Sequence, residues 1–309
     1  GLGDDTANID LKTGVDGTFV LNTQGPYDHD NSDPGRTDKD TVIASASTLS
    51  LIIFGGQGDD SITAGSGNDL IFGDRGRVVY YDDDGNEVTV LGNAGLGDKT
   101  DALYHLGLKA SSVDLNVGEI DTIVAGAGDN AVMGGFGGDT IGATGSAASA
   151  NVVLGDNGEF QYDKTGFLKL VGTTDTLDTT GDADIITLGD GTNVVLGGMG
   201  TDTIIAGDGI NTILGDNGTA TYSAANQLKD VTSSVLDLGG NDIITAGDGT
   251  NTIIGGFGTD EITAGQTDTS INTIIGDNGE LGYTAGVLMN AGTTDTLDTT
   301  GDADIITLG

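Results

Sequence analysis

The chain has 309 residues, 56 of them Gly, with 2 Pro, no Cys and no Trp, and its 48 Asp and Glu face 10 Lys and Arg for a formal charge of −38. That charge excludes nucleic acid and anionic membrane surfaces as natural partners, and the absence of Cys excludes disulfide staples. A hydrophobic content of 36% is too high for a self-repelling coil, so the carboxylates of a folded chain need a hard divalent cation to neutralise them.

Residues 1–39 read as an irregular acidic interruption, whose run DHDNSD (28–33) offers Asp28, Asp30 and Asp33 to an ion. A grid begins in 40–76, where Asp40, Leu51, Asp60 and Asp69 are each followed two residues later by Val42, Ile53, Ile62 and Ile71. Residues 77–120 break it. In 121–158 the markers are Asp121, Asn130, Asp139 and Asn151, leading to Ile123, Val132, Ile141 and Val153. After a second break, 159–180, the grid is most regular over 181–218: Asp184, Asn193, Asp202 and Asn211 fall nine residues apart and lead to Ile186, Val195, Ile204 and Ile213. The third break, 219–238, precedes 239–279, with Asp242, Asn251, Asp260 and Asn272 leading to Ile244, Ile253, Ile262 and Ile274. A fourth, 280–300, precedes 301–309, where Asp304 and Ile306 start the grid again. TTDTLDTTGDADIITLG at 173–189 recurs unchanged at 293–309, a tandem duplication that makes the segment read as an excerpt of a longer repetitive protein.

Nine residues accommodate a short strand and a tight Gly-rich turn, and β-branched residues at the fixed position favour the strand. The predicted fold is all-β, a parallel β-solenoid of nine-residue half-coils, eighteen residues per coil, with the Ile/Val ladder buried between two parallel sheets. Alternation of Asp and Asn puts the Asp markers at one edge and the Asn markers at the other. Each break opens with GDRG (73–76) or GDNG (155–158, 215–218, 276–279), followed by Tyr80, Tyr162, Tyr222 or Tyr283. RVVYY, DDDGN, EVTVL (77–91) and EFQY, DKTG, FLKLV (159–171) read as hairpins protruding sideways every two coils. Each Tyr either packs over the coil beneath or makes lateral contacts with another copy of the chain.

GGQGDD (55–60), GGFGGD (134–139), GGMGTD (197–202) and GGFGTD (255–260), with AGSGND (64–69) close to them, resemble the loop of the repeats-in-toxin (RTX) calcium-binding nonapeptide. The resemblance implies a parallel β-roll holding several Ca2+ ions between loops of adjacent coils, bound by Asp carboxylates and backbone carbonyls. By position the ligands are Asp60, Asp139, Asp202 and Asp260, then Asp69, Asp121, Asp184, Asp242 and Asp304. DGTN (190–193), DGIN (208–211) and DGTN (248–251) depart from the pattern. Either an Asn ladder holds that edge, or a weaker ion does through Asp190, Asp208 and Asp248.

With His29 and His105 as the only His, and no HExxH, GxSxG or Cys nucleophile, catalysis is not expected. No stretch is long and apolar enough to span a bilayer. The resemblance implies an extracellular or cell-surface bacterial protein, exported unfolded by type 1 secretion and folding on calcium outside the cell. Its expected role is a structural segment of a fibre, surface layer or adhesin that assembles with copies of itself. The alternatives are an adhesin extender binding glycan or ice, and a secretion repeat attached to an exported enzyme.

Overall fold

A computed structural model of the chain describes residues 4–12, 14, 19–23, 38–92, 99–100, 107–176, 180–265, 267–295 and 302–309. The acidic run with Asp28, Asp30 and Asp33, and both His, lie outside the described residues.

The chain is a parallel β-roll. Strands that follow the Asp markers, among them Thr122–Gly126, Thr140–Ala143, Ile185–Leu188 and Thr203–Ala206, form a ten-stranded parallel sheet. Strands that follow the Asn markers, among them Ala131–Gly135, Ala150–Asp156, Gly191–Gly198 and Gly209–Asp216, form a nine-stranded one. Pairing ignores the breaks: Thr140–Ala143 bonds directly to Ile185–Leu188, with a whole insertion looped out between them. The register stacks like on like. Ile123, Ile141, Ile186, Ile204, Ile244 and Ile262 pair in succession in the first sheet, and Val132, Val153, Val195, Ile213 and Ile253 in the second. Both columns are buried and interlock as one core between the sheets. A one-residue slip would turn every one of them outward, which is why the nine-residue phase survives each break.

The insertions differ from the expected row of separate protrusions. Hairpins Gly158–Tyr162/Leu168–Thr173, Gly218–Tyr222/Leu228–Ser233 and Gly279–Thr284/Val287–Thr293 bond to one another edge to edge. With Gly76–Tyr81, Glu87–Leu91, Lys99–Thr100 and the bridging strand Gly107–Ser112 they make a third, antiparallel sheet of ten strands. The cause is the second parallel sheet, which is apolar on both faces. Phe54, Phe72, Met133, Leu154, Leu196, Leu214 and Ile254 point out of it and need a cover, and Val78, Ala110, Phe160, Val171, Ala220, Val231 and Leu281 of the third sheet supply one. Phe54 and Phe72 stack with ring centroids 4.9 Å apart. Pairing the hairpins to each other also removes most of the exposed strand edges that a row of isolated protrusions would carry.

Tyr80, Tyr162, Tyr222 and Tyr283 are half-buried and pack against this second core, and the Tyr283 hydroxyl shares a hydrogen bond of 3.0 Å with Thr252. Burial raises the phenol pKa of Tyr80, Tyr162 and Tyr222. Of the two roles read from the sequence the structure shows packing over the coils beneath. Truncating Phe160, fully buried at the centre of the second core, to Ala is expected to cost about 3–5 kcal/mol in calcium. Chemical denaturation of the calcium-loaded chain measures it.

Candidate calcium site

The site is built where second-sheet strands end in GGxG loops and the chain turns into the first sheet. The second and fourth glycines of each full loop, such as Gly198 (φ 123) and Gly200 (φ 105), have backbone conformations that other residues rarely adopt, so the turn needs Gly. Directly after it comes the Asp marker. Asp60, Asp121, Asp139, Asp184, Asp202, Asp242 and Asp260 are all buried, and Asp304, last in the column, is half-buried. Each uses Oδ1 identically, accepting the backbone N–H of the Asp one coil earlier. The bonds run from Asp60 N–H to Asp121, then to Asp139, Asp184, Asp202, Asp242, Asp260 and Asp304, at 2.6–2.9 Å. Asp40, not singled out as a ligand in the sequence, continues the column, donating its own N–H to Asp60 and accepting that of Asp5.

The second oxygen is different. Oδ2 of Asp60, Asp121, Asp139, Asp184, Asp202, Asp242 and Asp260 is buried without a hydrogen-bond partner. Among the described residues no Lys or Arg forms an ion pair with any of them. Each Oδ2 lies against a glycine that opens a loop. A Cβ on Gly55, Gly134, Gly155, Gly197, Gly215 or Gly255 would run into Asp60, Asp139, Asp184, Asp202, Asp242 or Asp260 Oδ2, and also into the glycine carbonyl of the next loop. A missing side chain thus makes room for one carboxylate oxygen and one carbonyl oxygen side by side.

Electrostatically the column is unsustainable at neutral pH on its own. Burial, and after it the charge of Asp121, pushes the Asp60 carboxyl up to about 9. Burial takes Asp121 to about 8 and Asp260 to about 7. Asp139, Asp184, Asp202 and Asp242 are raised well above the usual carboxylate range, by burial first and then by the charge of the ladder neighbour before each. Buried hard oxygens, one orphaned per coil and set beside carbonyls, are the donor set that Ca2+ takes. Among the described residues no three carboxylate or imidazole groups form a metal cluster by themselves, so the glycine carbonyls are needed to complete the coordination. The residues fit the ion.

At the opposite edge the structure shows the ladder of Asn side chains. Asn151, Asn193, Asn211 and Asn251 each donate one amide hydrogen to Oδ1 of the next Asn in the column, ending at Asn272, at 2.8–3.1 Å. Asn193, Asn211 and Asn251 donate the other to Gly189, Gly207 and Gly247 carbonyls at 2.9–3.0 Å. This is a satisfied Asn ladder. Asp190 and Asp208 are exposed and Asp248 is half-buried; Asp190 and Asp208 accept the N–H of the next coil at 3.0 and 2.8 Å, and Asp248 accepts that of Thr267. These three tie turn to turn and are not gathered into a site like that of the Asp edge. Asp69 is also displaced from its expected column. Nine residues beyond Asp60 in an eighteen-residue coil, it stands on the Asn edge, with its N–H bonded to Asn130 at 3.1 Å. Its Oδ2 is nevertheless buried and unpartnered, and burial raises its carboxyl to about 6. Replacing Asn211 by Ala strands the Asn193 amide and the Asn251 carbonyl, at an expected cost of about 1–3 kcal/mol for each. Calcium stoichiometry in the same variant should not change, which calorimetric titration checks.

A model of the RTX calcium-binding nonapeptide repeat (4 copies) matches residues 52–79, 118–141, 171–204, 196–219 and 237–271. A search of the curated proteins finds no match. Repeats of this family bind several calcium ions, are structural rather than catalytic, and are typical of secreted bacterial proteins. Among the described residues no helix is long and apolar enough to cross a membrane, a statement that does not extend to strands. The matched segments carry the GGxG loops and the Asp column from Asp60 to Asp260, and the chain accordingly carries RTX calcium-binding nonapeptide repeats on a parallel β-roll.

Proposed function

We propose that the chain is a calcium-stiffened rod segment of a large extracellular fibre, surface layer or adhesin, with no catalytic role of its own. The observation that carries this reading is continuity: one Asp ladder and two cores run from coil to coil, and an Asn ladder from Asn151 to Asn272, without a break at the insertions. Load applied along the axis is then shared among parallel strands, the third sheet and the bound ions. Export as an unfolded chain, by type 1 secretion, belongs to the same reading, since the carboxylates repel at low calcium and collapse onto the ion outside the cell.

Self-association is part of the proposal. The outer face of the first sheet exposes Ile43, Val124, Ile185, Ile205 and Ile243, each 41–51% accessible, on an otherwise strongly acidic molecule, and this supports side-by-side contact between copies. Small-angle scattering combined with sedimentation tests the reading. In millimolar calcium the expected result is a rigid particle that associates as concentration rises. In EGTA the expected result is a monomeric coil with a radius of gyration of about 60 Å. A compact particle of unchanged dimensions in both conditions would contradict the calcium-stiffened rod.

A further inference from the structure

The loops that open each break carry a carboxylate where the full nonapeptide loop has glycine. Gly135 pairs across the sheet with Asp156, Gly198 with Asp216 and Gly256 with Asp277, so GDNG occupies the place of GGxG with Asp at its second position. GDRG places Asp74 equivalently. Asp74 and Asp156 are 4% and 0% exposed. Oδ2 of each accepts a backbone N–H from the loop of the next coil, that of Phe136 and of Met199. Oδ1 of each is buried with no partner.

Among the described residues no cation neutralises these two groups. Arg75, beside Asp74 in sequence, directs its Nε to Asp114 at 2.9 Å, and among the described residues no Lys or Arg is ion-paired with Asp74 or Asp156. After burial, the charges that raise their carboxyls are all carboxylates: Asp121, Asp139 and Asp60 for Asp74, and Asp184, Asp202 and Asp175 for Asp156. Of these, the ladder residues Asp60, Asp121, Asp139, Asp184 and Asp202 present their own orphaned Oδ2 atoms. The backbone packs closely against both carboxyls: a Cβ on Gly118 or Gly135 would run into Asp74, and one on Gly181 or Gly198 into Asp156. Asp216 is built differently, because both its oxygens accept N–H groups, from Phe257 and from Gly240.

We propose that Asp74 and Asp156 are additional calcium ligands, each adding a carboxylate to the ladder site where a hairpin leaves the solenoid. The proposal rests on the calcium reading of the Asp ladder and extends it. Ligand charge count tunes calcium affinity, so these sites bind more tightly than those whose loops carry Gly at that position. The hairpin strand Gly158–Tyr162 starts two residues after Asp156, so an ion held there also pins the third sheet to the solenoid.

The test is calcium titration by calorimetry, with terbium luminescence as a second probe, on the full chain and on Asp74→Gly, Asp156→Gly and the double variant. Glycine is what the same loop position already holds at Gly135 and Gly198, so the circular dichroism of each variant in saturating calcium should match the parent. Each substitution should remove one site from the tightest class, weakening it at least tenfold, and the double variant should remove two. Isotherms superimposable on the parent overturn the proposal while leaving the ladder reading intact. A parent that takes up no calcium or terbium overturns the ladder reading itself, a separate result. If a glycine variant does not fold in calcium, Asp156→Asn retains an acceptor for the Met199 N–H and is judged by the same tenfold loss.

Discussion

Removing calcium with EGTA at pH 7 is expected to abolish the β signal in far-ultraviolet circular dichroism, and lowering the metal-free sample to about pH 4 is expected to restore much of it. The direction follows from the ladder carboxylates. In the metal-free fold Asp60, Asp121 and Asp260 are pushed up to about 9, 8 and 7, whereas an unfolded Asp titrates near 3.9. The folded state therefore binds more protons across that interval, and stability that is fully present below about pH 4 is lost as pH rises toward 9. At pH 7 the metal-free solenoid must either keep protons on buried acids or bury unpaired charge, and the unfolded chain does neither. Calcium replaces those protons, so its affinity should fall as pH drops and protons compete for the same oxygens. A β signal indifferent to EGTA at pH 7 would mean that the column is not a cation site.

Asp202→Asn is expected to act in opposite directions with and without calcium. The amide keeps an Oδ1 to accept the Asp184 N–H, a bond of 2.8 Å in the native chain. It replaces the orphaned Oδ2 by an NH2 group set beside the Gly215 carbonyl, which is the arrangement that Asn211 already uses toward Gly207 on the other edge. One coil of the Asp edge would thereby acquire the chemistry of the Asn edge. Calcium binding at that position should weaken about 10–100-fold, the range typical of disturbing a metal site. The metal-free chain at pH 7 should become more stable, because a buried, mutually repelling carboxylate has been removed. Titration calorimetry reads the first effect and urea denaturation in EGTA the second. A variant destabilised in both conditions would show that Asp202 serves packing alone.

Much of this was legible in the chain because a solenoid repeats its local environment. The nine-residue spacing from Asp184 to Asn211 determines strand, turn, coil length and inward face together, since only one register turns the Ile or Val two residues after each marker inward. The Asp column was readable for the same reason, as was the possibility that Asn193 and Asn211 hydrogen-bond from coil to coil. That the ladder forms on that edge needed the geometry: an Asn is committed to a ladder only when its amide hydrogens meet Oδ1 of the next Asn and a glycine carbonyl at bonding distance. Asp69 was assigned by its loop sequence, GSGND, although coil parity alone places it opposite Asp60.

The insertions were the least legible part. Turn residues and alternating strands mark the hairpins, but pairing between Leu168–Thr173 and Gly218–Tyr222 joins elements about fifty residues apart, with no local signal to announce it. A signal for their cover did exist. Some strands after Asn read as continuous apolar runs, as in NVVLG, whereas some of those after Asp alternate, as in DEITAG, and only a sheet buried on both faces needs the former. Asp74 and Asp156 resemble ordinary turn residues in GDRG and GDNG. Their burial, and the orphaned oxygen each carries, arise only when the next coil closes over them, because desolvation is a property of the stacked structure and not of the loop. The sequence by itself determined the coil, its register and the column of carboxylates. Tertiary structure alone decided the third layer, the packing of the Tyr rings and the charge left unpaired at Asp74 and Asp156, since all three depend on contacts between coils.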